Sequence, residues 1–212
     1  AQDLLARRQP PSLQHPLGLD EVGRDNLSRI LYGARLSLRL GAGAVLIATL
    51  VGGLLGIVAG YRGGWLDGLI TSALDVMQAV PGLLLALVVV SILGQGVTNL
   101  LVAVAIPAIP VYARLLRVAV LATKERQYVE AARAMGVRTG RLVFRHILPA
   151  CLPPLLAQAT LGAGTAILET AGLSFLGLGI RPPAPEWGAM IVQGRGAVLA
   201  APKHPMTVTG WC

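Results

Sequence analysis

Charge is scarce in this chain: 13% of its 212 residues are Asp, Glu, Lys or Arg, against roughly a quarter in a soluble domain. A chain so poor in charge cannot clothe a water-facing surface. With 54% hydrophobic residues and a mean hydropathy of +0.67 it reads as an integral membrane protein. Aromatic residues are scarce too, at 4%, while glycine numbers 26, so helices are expected to pack through small residues. The two cysteines, Cys151 and Cys212, have no metal-ligand or redox spacing. His15, His146 and His204 are too scattered for a metal site, and no metal or cofactor is expected. The string GxxxxGK[ST] is absent, so these residues offer no phosphate cradle and no ATP hydrolysis is expected of them. The net charge is +8, but the charges sit between apolar runs and form no single solvated face, which argues against nucleic acid. Residues 1–11 carry Arg7-Arg8 with no apolar core behind them, so no secretory signal opens the chain, which is expected to start inside a longer sequence.

Long apolar runs are what remains. Leu40 to Tyr61 is uncharged for 22 residues, enough for one crossing, which takes about 20. Within it Gly52, Gly56 and Gly60 recur every fourth residue on one helical face, a stripe that lets a neighbouring helix approach closely in lipid. The uncharged run from Val76 to Ala113 holds 38 residues, too many for one crossing, and breaks at Gly94-Gln95-Gly96. Helices are expected near 67–93 and 97–121, kinked at Pro81 and at Pro107 and Pro110. A fourth span is expected over roughly 144–172, with Pro149, Pro153 and Pro154 near its start. A proline-rich polar loop follows at Arg181–Trp187, and no further span is expected after it. The positive-inside count does not orient the chain: loops 61–67 and 113–145 hold nine basic residues, and the opposite side holds nine.

The charged island between the third and fourth spans carries the most information. Residues 124–135, KERQYVEAARAM, read as a short amphipathic helix with Tyr128, Ala131, Ala132 and Met135 on one face. Glu130 can pair with Arg126 or Arg133. Gly136 stands where a C-terminal glycine would stop the helix. An interfacial helix resting on headgroups and a helix docked in a protein groove fit this pattern equally. The small alanines favour the groove.

The string EAARAMG, followed by HILP, resembles the EAA loop of permease subunits of binding-protein-dependent ABC importers. Glu130, Ala131, Ala132, Gly136, Leu148 and Pro149 match it, and His146 stands where that pattern has Ile. The stretches His15–Leu38 and Glu169–Met190, and Pro81 within AVPGLLLALVVV, resemble the C-type subunit of the dipeptide, oligopeptide and nickel group. The resemblance covers roughly residues 10–201. It implies an all-α integral membrane protein with a type-1 ABC importer transmembrane domain (MetI-like), about four membrane helices and a cytoplasmic coupling helix. Members of the group have an additional helix before and after these residues. Residues 202–212 look unlike the group.

What the resemblance implies is a multi-pass subunit of a bacterial or archaeal cytoplasmic membrane, with residues 1–34 extracytoplasmic, 35–201 the transmembrane domain and a coupling loop at 122–145. Its expected partners are a homologous second permease, two ABC ATPase subunits and an extracytoplasmic substrate-binding protein meeting the loop at 180–200. Tyr128, Glu130, Ala131, Ala132, Gly136, Leu148 and Pro149 would couple it to the ATPase. Two acids near or inside spans, Asp75 and Glu169, default to a functional reading because an ionisable group at membrane depth is expensive. Asp75, Gln78, Pro81 and Glu169 are therefore candidate translocation-pathway residues, with bonding between helices the equal alternative. An ATP-independent transporter or channel carrying an amphipathic loop, and a truncated permease fragment, stay open on the residues.

Overall fold

The computed structural model describes residues 10–20, 22–180 and 184–200. Arg7, Arg8, Arg181, Lys203, His204, Cys212 and the atypical stretch 202–212 lie outside the described residues. The chain becomes helical at Asn26 because Asp25 caps it: the carboxylate accepts from the Ser28 amide at 2.8 Å, satisfying a donor that a helix start leaves open. Helix α1 then runs from Asn26 to Arg62. It begins well before the uncharged stretch at Leu40.

Helix α4, Val97–Lys124, lies along α1, and this seam forms the centre of the molecule. A Cβ built on Gly52 would meet the Ile109 carbonyl at 2.5 Å; on Gly56, that of Ala113 at 2.3 Å; on Gly60, that of Arg117 at 2.7 Å. Both helices step by four residues in the same sense, so they are parallel and pack nearly backbone to backbone. Only hydrogen fits between them at these positions. Lys124 closes the far end by donating from Nζ to the Gly60 carbonyl at 3.0 Å.

Helices α2, Gly64–Ala79, and α3, Gly82–Leu93, form a pair bent by 89° at Val80-Pro81. The single kinked helix expected over 67–93 is thus two helices. A proline's ring disfavours helical geometry in the residue before it, and Val80 is extended, φ −96° and ψ 130°. Helix α4, by contrast, continues through both Pro107 and Pro110.

The last long element is continuous from Thr139 to Phe175: α6 (Thr139–Leu142), a π-helical turn (Val143–Ile147) and α7 (Leu148–Phe175). Pro149 has no amide to give, and its ring crowds the carbonyl four residues back. The π turn relieves this, with the Leu148 amide reaching the Val143 carbonyl five residues back. Among the described residues three helices (26–62, 97–124 and 139–175) are long and apolar enough to cross a membrane, and the bent pair counts as a fourth if it forms one broken span.

The stretch after the proline-rich segment, expected as a loop through residue 200, is helical: α8 runs from Trp187 to Ala200. Glu186, fully buried, caps it by accepting from the Gly188 and Ala189 amides at 2.9 Å each. Trp187 anchors it to α1, donating from Nε1 to the Ile30 carbonyl at 3.1 Å. Fourteen residues of α8 are described.

Candidate functional site

The charged island folds as α5, Gln127–Ala134, shorter than the sequence suggests because α4 persists to Lys124 and the chain turns at Glu125-Arg126. Gly136 ends it at φ +78°. The Val137 amide donates to the Ala132 carbonyl at 3.2 Å and the Gly136 amide to that of Arg133 at 3.0 Å. This is the paired closure that needs a left-handed residue, and glycine adopts that conformation without a Cβ penalty.

The expected apolar face divides. Ala132 is buried, and with Val129 it joins a cluster containing Leu142, Val143, Ile147 and Cys151. Tyr128, Ala131 and Met135 point outward; Met135 is 78% exposed. Glu130 and Arg133 are exposed as well. The helix is therefore riveted to the starts of α6 and α7 by its inner pair, while a small, partly apolar outer face remains open. Tyr128 adds a weak bond to the His146 carbonyl at 3.4 Å. Ile147, not His146, is the fully buried residue before Leu148-Pro149.

The two acids of the spans have different surroundings. Asp75 on α2 pairs with Arg114 on α4, and both side chains remain substantially exposed. Nearer the α5 end of α4, Arg117 grips Asp67 with two bonds, Nε to Oδ1 at 2.5 Å and Nη2 to Oδ2 at 2.6 Å. Sequence reasoning missed both arginines as partners. The signal was there: Asp67 and Asp75 are eight apart and Arg114 and Arg117 three apart, each set on one helical face. Gln78 is exposed and joins neither pair. Glu169, half-buried on α7, instead lines a cavity of about 140 Å³ together with Gly82, Pro107, Tyr112, Gln158 and Thr165. Pro81 stands at the bend just before Gly82, so the break in the second span opens beside this cavity. Among the described residues no group of His, Cys, Asp and Glu could hold a metal ion.

The description that fits this architecture is a binding-protein-dependent transport system inner membrane component, whose family model matches residues 52–201. The chain belongs to that family. It is 49% identical to the dipeptide transport system permease protein DppC of Alkalihalophilus pseudofirmus, over 92% of this chain and 64% of the relative. It is 47% identical to the glutathione transport system permease protein GsiD of Pectobacterium atrosepticum, over 91% of this chain and 64% of that one. The di/tripeptide permease DppC of Pseudomonas aeruginosa is 49% identical over 87% and 61%. The chain spans a little under two thirds of the length of these curated relatives. Among solved structures, the inward-facing MetNI methionine ABC transporter superposes with a TM-score of 0.63 at 16% identity, covering 88% of this chain and 98% of that one. An amino acid ABC transporter gives 0.59 at 19%, covering 87% and 90%. At such identities the likeness is one of fold: the ABC importer transmembrane domain. The family member described here is thus an all-α, multi-pass protein of the bacterial cytoplasmic membrane.

Proposed function

We propose that the chain is the permease subunit of an ATP-driven ABC importer and forms, with a homologous second permease, the pathway for peptides or related small solutes. The relatives named for dipeptide, di/tripeptide and glutathione transport support the solute class. ATP is hydrolysed by two separate ATPase subunits, and an extracytoplasmic binding protein delivers the solute. Residues 1–34 are extracytoplasmic and 35–201 form the transmembrane domain. The observation that carries the reading is α5: a short helix fixed to its own bundle by Val129 and Ala132, with Tyr128, Glu130 and Ala131 turned outward.

A helix held this way moves with the ends of α4 and α7, so a push from a closing ATPase pair reaches the spans as a rigid-body displacement. Gly136 sets the angle between this lever and the last span, and the π turn before Leu148-Pro149 lies where the force enters. Asp75, Gln78, Pro81 and Glu169 line or shape the pathway.

The test is a cysteine at Ala131, exposed on the outer face. In native membranes it is expected to crosslink to an ATPase subunit, and a failure to capture one under conditions that trap the assembled complex overturns the reading. Gly136→Val forces a β-branched residue to φ +78°, which costs about 1–2 kcal/mol. We expect such membranes to hydrolyse ATP but lose solute uptake. Normal uptake by the variant would contradict the lever.

A further inference from the structure

Glu169 is the acid within the described spans that has no partner: Asp67 is held by Arg117 and Asp75 by Arg114, while nothing among the described residues bonds the Glu169 carboxylate. It faces an open cavity of about 140 Å³ to which α1, α3, α4 and α7 contribute. Among the described residues no basic side chain lines this space, and its other polar groups belong to Tyr112, Gln158 and Thr165. A lone carboxylate at membrane depth is expensive unless it is wetted or meets a cation. One carboxylate with neutral hydroxyl and amide neighbours is a poor ligand set for a divalent metal. It suits a monovalent cation that donates hydrogen bonds. We infer that the Glu169 cavity is a binding subsite for a protonated primary amine, and that it takes the ammonium end of the transported solute.

This rests on the permease reading, which supplies a solute to pass by. The same ammonium chemistry could come from an aminophospholipid or from a lysine of the second permease, and the experiment separates these sources. The assembled complex, in discs of phosphatidylglycerol that offer no amine, is treated with a carbodiimide and no added nucleophile, and labelling of Glu169, counted as loss of the unmodified carboxylate, is read by mass spectrometry. We expect ready labelling that dialanine slows at least tenfold and N-acetyldialanine does not slow. Equal protection by both peptides, or by neither, overturns the inference. So does absence of labelling without peptide, since a partner's cation would then already occupy the site. Glu169→Gln is expected to lower dialanine uptake at least tenfold, with Glu169→Asp retaining a substantial part. A merely structural role would lower uptake with no amine-dependent protection. Uptake of dialanine by the unmodified complex is measured alongside. Its absence counts against the permease reading for that solute, whereas uptake without selective protection counts against the Glu169 subsite alone.

Discussion

Gly56 is the tightest point of the α1–α4 seam, since a methyl group there would sit 2.3 Å from the Ala113 carbonyl oxygen and 3.0 Å from the Arg117 amide. Both are backbone atoms of a helix and cannot step aside, so Gly56→Ala must push the helices apart. Overpacking of this kind costs about 1–3 kcal/mol, and the variant is expected to unfold at a clearly lower temperature in detergent. Gly68 on α2 is the control, because a Cβ there meets nothing within 4 Å. Gly68→Ala should leave the transition unchanged or raise it slightly. Equal behaviour of the two variants would remove the close-packed seam. The four-residue spacing of these glycines was legible in the sequence because it is a property of one helix. The inward face of α5 was not. Tyr128, Ala131, Ala132 and Met135 share a stripe by periodicity, but which part of it turns inward depends on where α4 ends and where Ile147 stands.

At the scale of the element, Pro81 decides the shape of the second span. Its ring drives Val80 out of the helical region, and the right-angle break follows. Two spin labels, at Ser72 and Ser91, report this directly. Eight and ten residues either side of a right angle place them about 19 Å apart, whereas an unbroken helix separates them by about 28 Å. Pro81→Ala is expected to lengthen the measured distance toward the larger value; no change would mean that tertiary contacts, not the proline, hold the bend. A proline inside an apolar run announces a disturbance, but the size of the bend depends on packing that the sequence does not spell out.

The same holds for α8, whose start was legible only as prolines and a tryptophan because its cap, Glu186, looks like any loop acid. The segment leading into α1 is held by carboxylates. Burial pushes the Asp20 acid up, but the amides of Arg24 and Val22 and the Arg24 guanidinium hold its pKa below the ordinary value. Asp25 is lowered by its bonds to Ser28. Groups depressed in the folded state contribute stability that is fully present above the ordinary carboxylate range and is lost as pH falls through the depressed values. Hydrogen exchange at Val22, Arg24 and Ser28, corrected for intrinsic rates, should therefore accelerate below about pH 4 ahead of amides in the middle of α1. Uniform loss of protection along α1 would mean these carboxylates do not govern the segment.

For the whole molecule, the direction of α1 and α4 relative to one another follows from the seam and not from charge. Nine basic residues on each side leave composition mute, and pairing does not break the tie, since Arg29 is spent on Asp20 and Arg117 on Asp67, one from each count. The packing speaks instead. Since α1 and α4 step past each other in parallel, their ends at Gly60 and Lys124 share one face with α5. The opposite face gathers the segment before α1, the turn at 94–96 and the start of α8, tied by Gln95 donating to the Gly177 carbonyl at 2.9 Å and by Trp187 on Ile30. The bent pair must then carry the chain from one face to the other, although by angle alone it could equally dip in and return. Single cysteines, placed in a background with Cys151 and Cys212 replaced by serine, decide this. Trp65→Cys and Met135→Cys should react with a membrane-impermeant maleimide only when the inner face is open. Leu13→Cys and Val97→Cys should react in intact cells. Trp65 and Met135 are 76% and 78% exposed and Val97 is 45% exposed, so access is not limiting. If Val97→Cys were labelled from the same side as Trp65→Cys, α2 and α3 would form a re-entrant loop. The parallel seam could not then be the arrangement in the membrane, because two helices joined by a loop that returns to its own side must run in opposite directions.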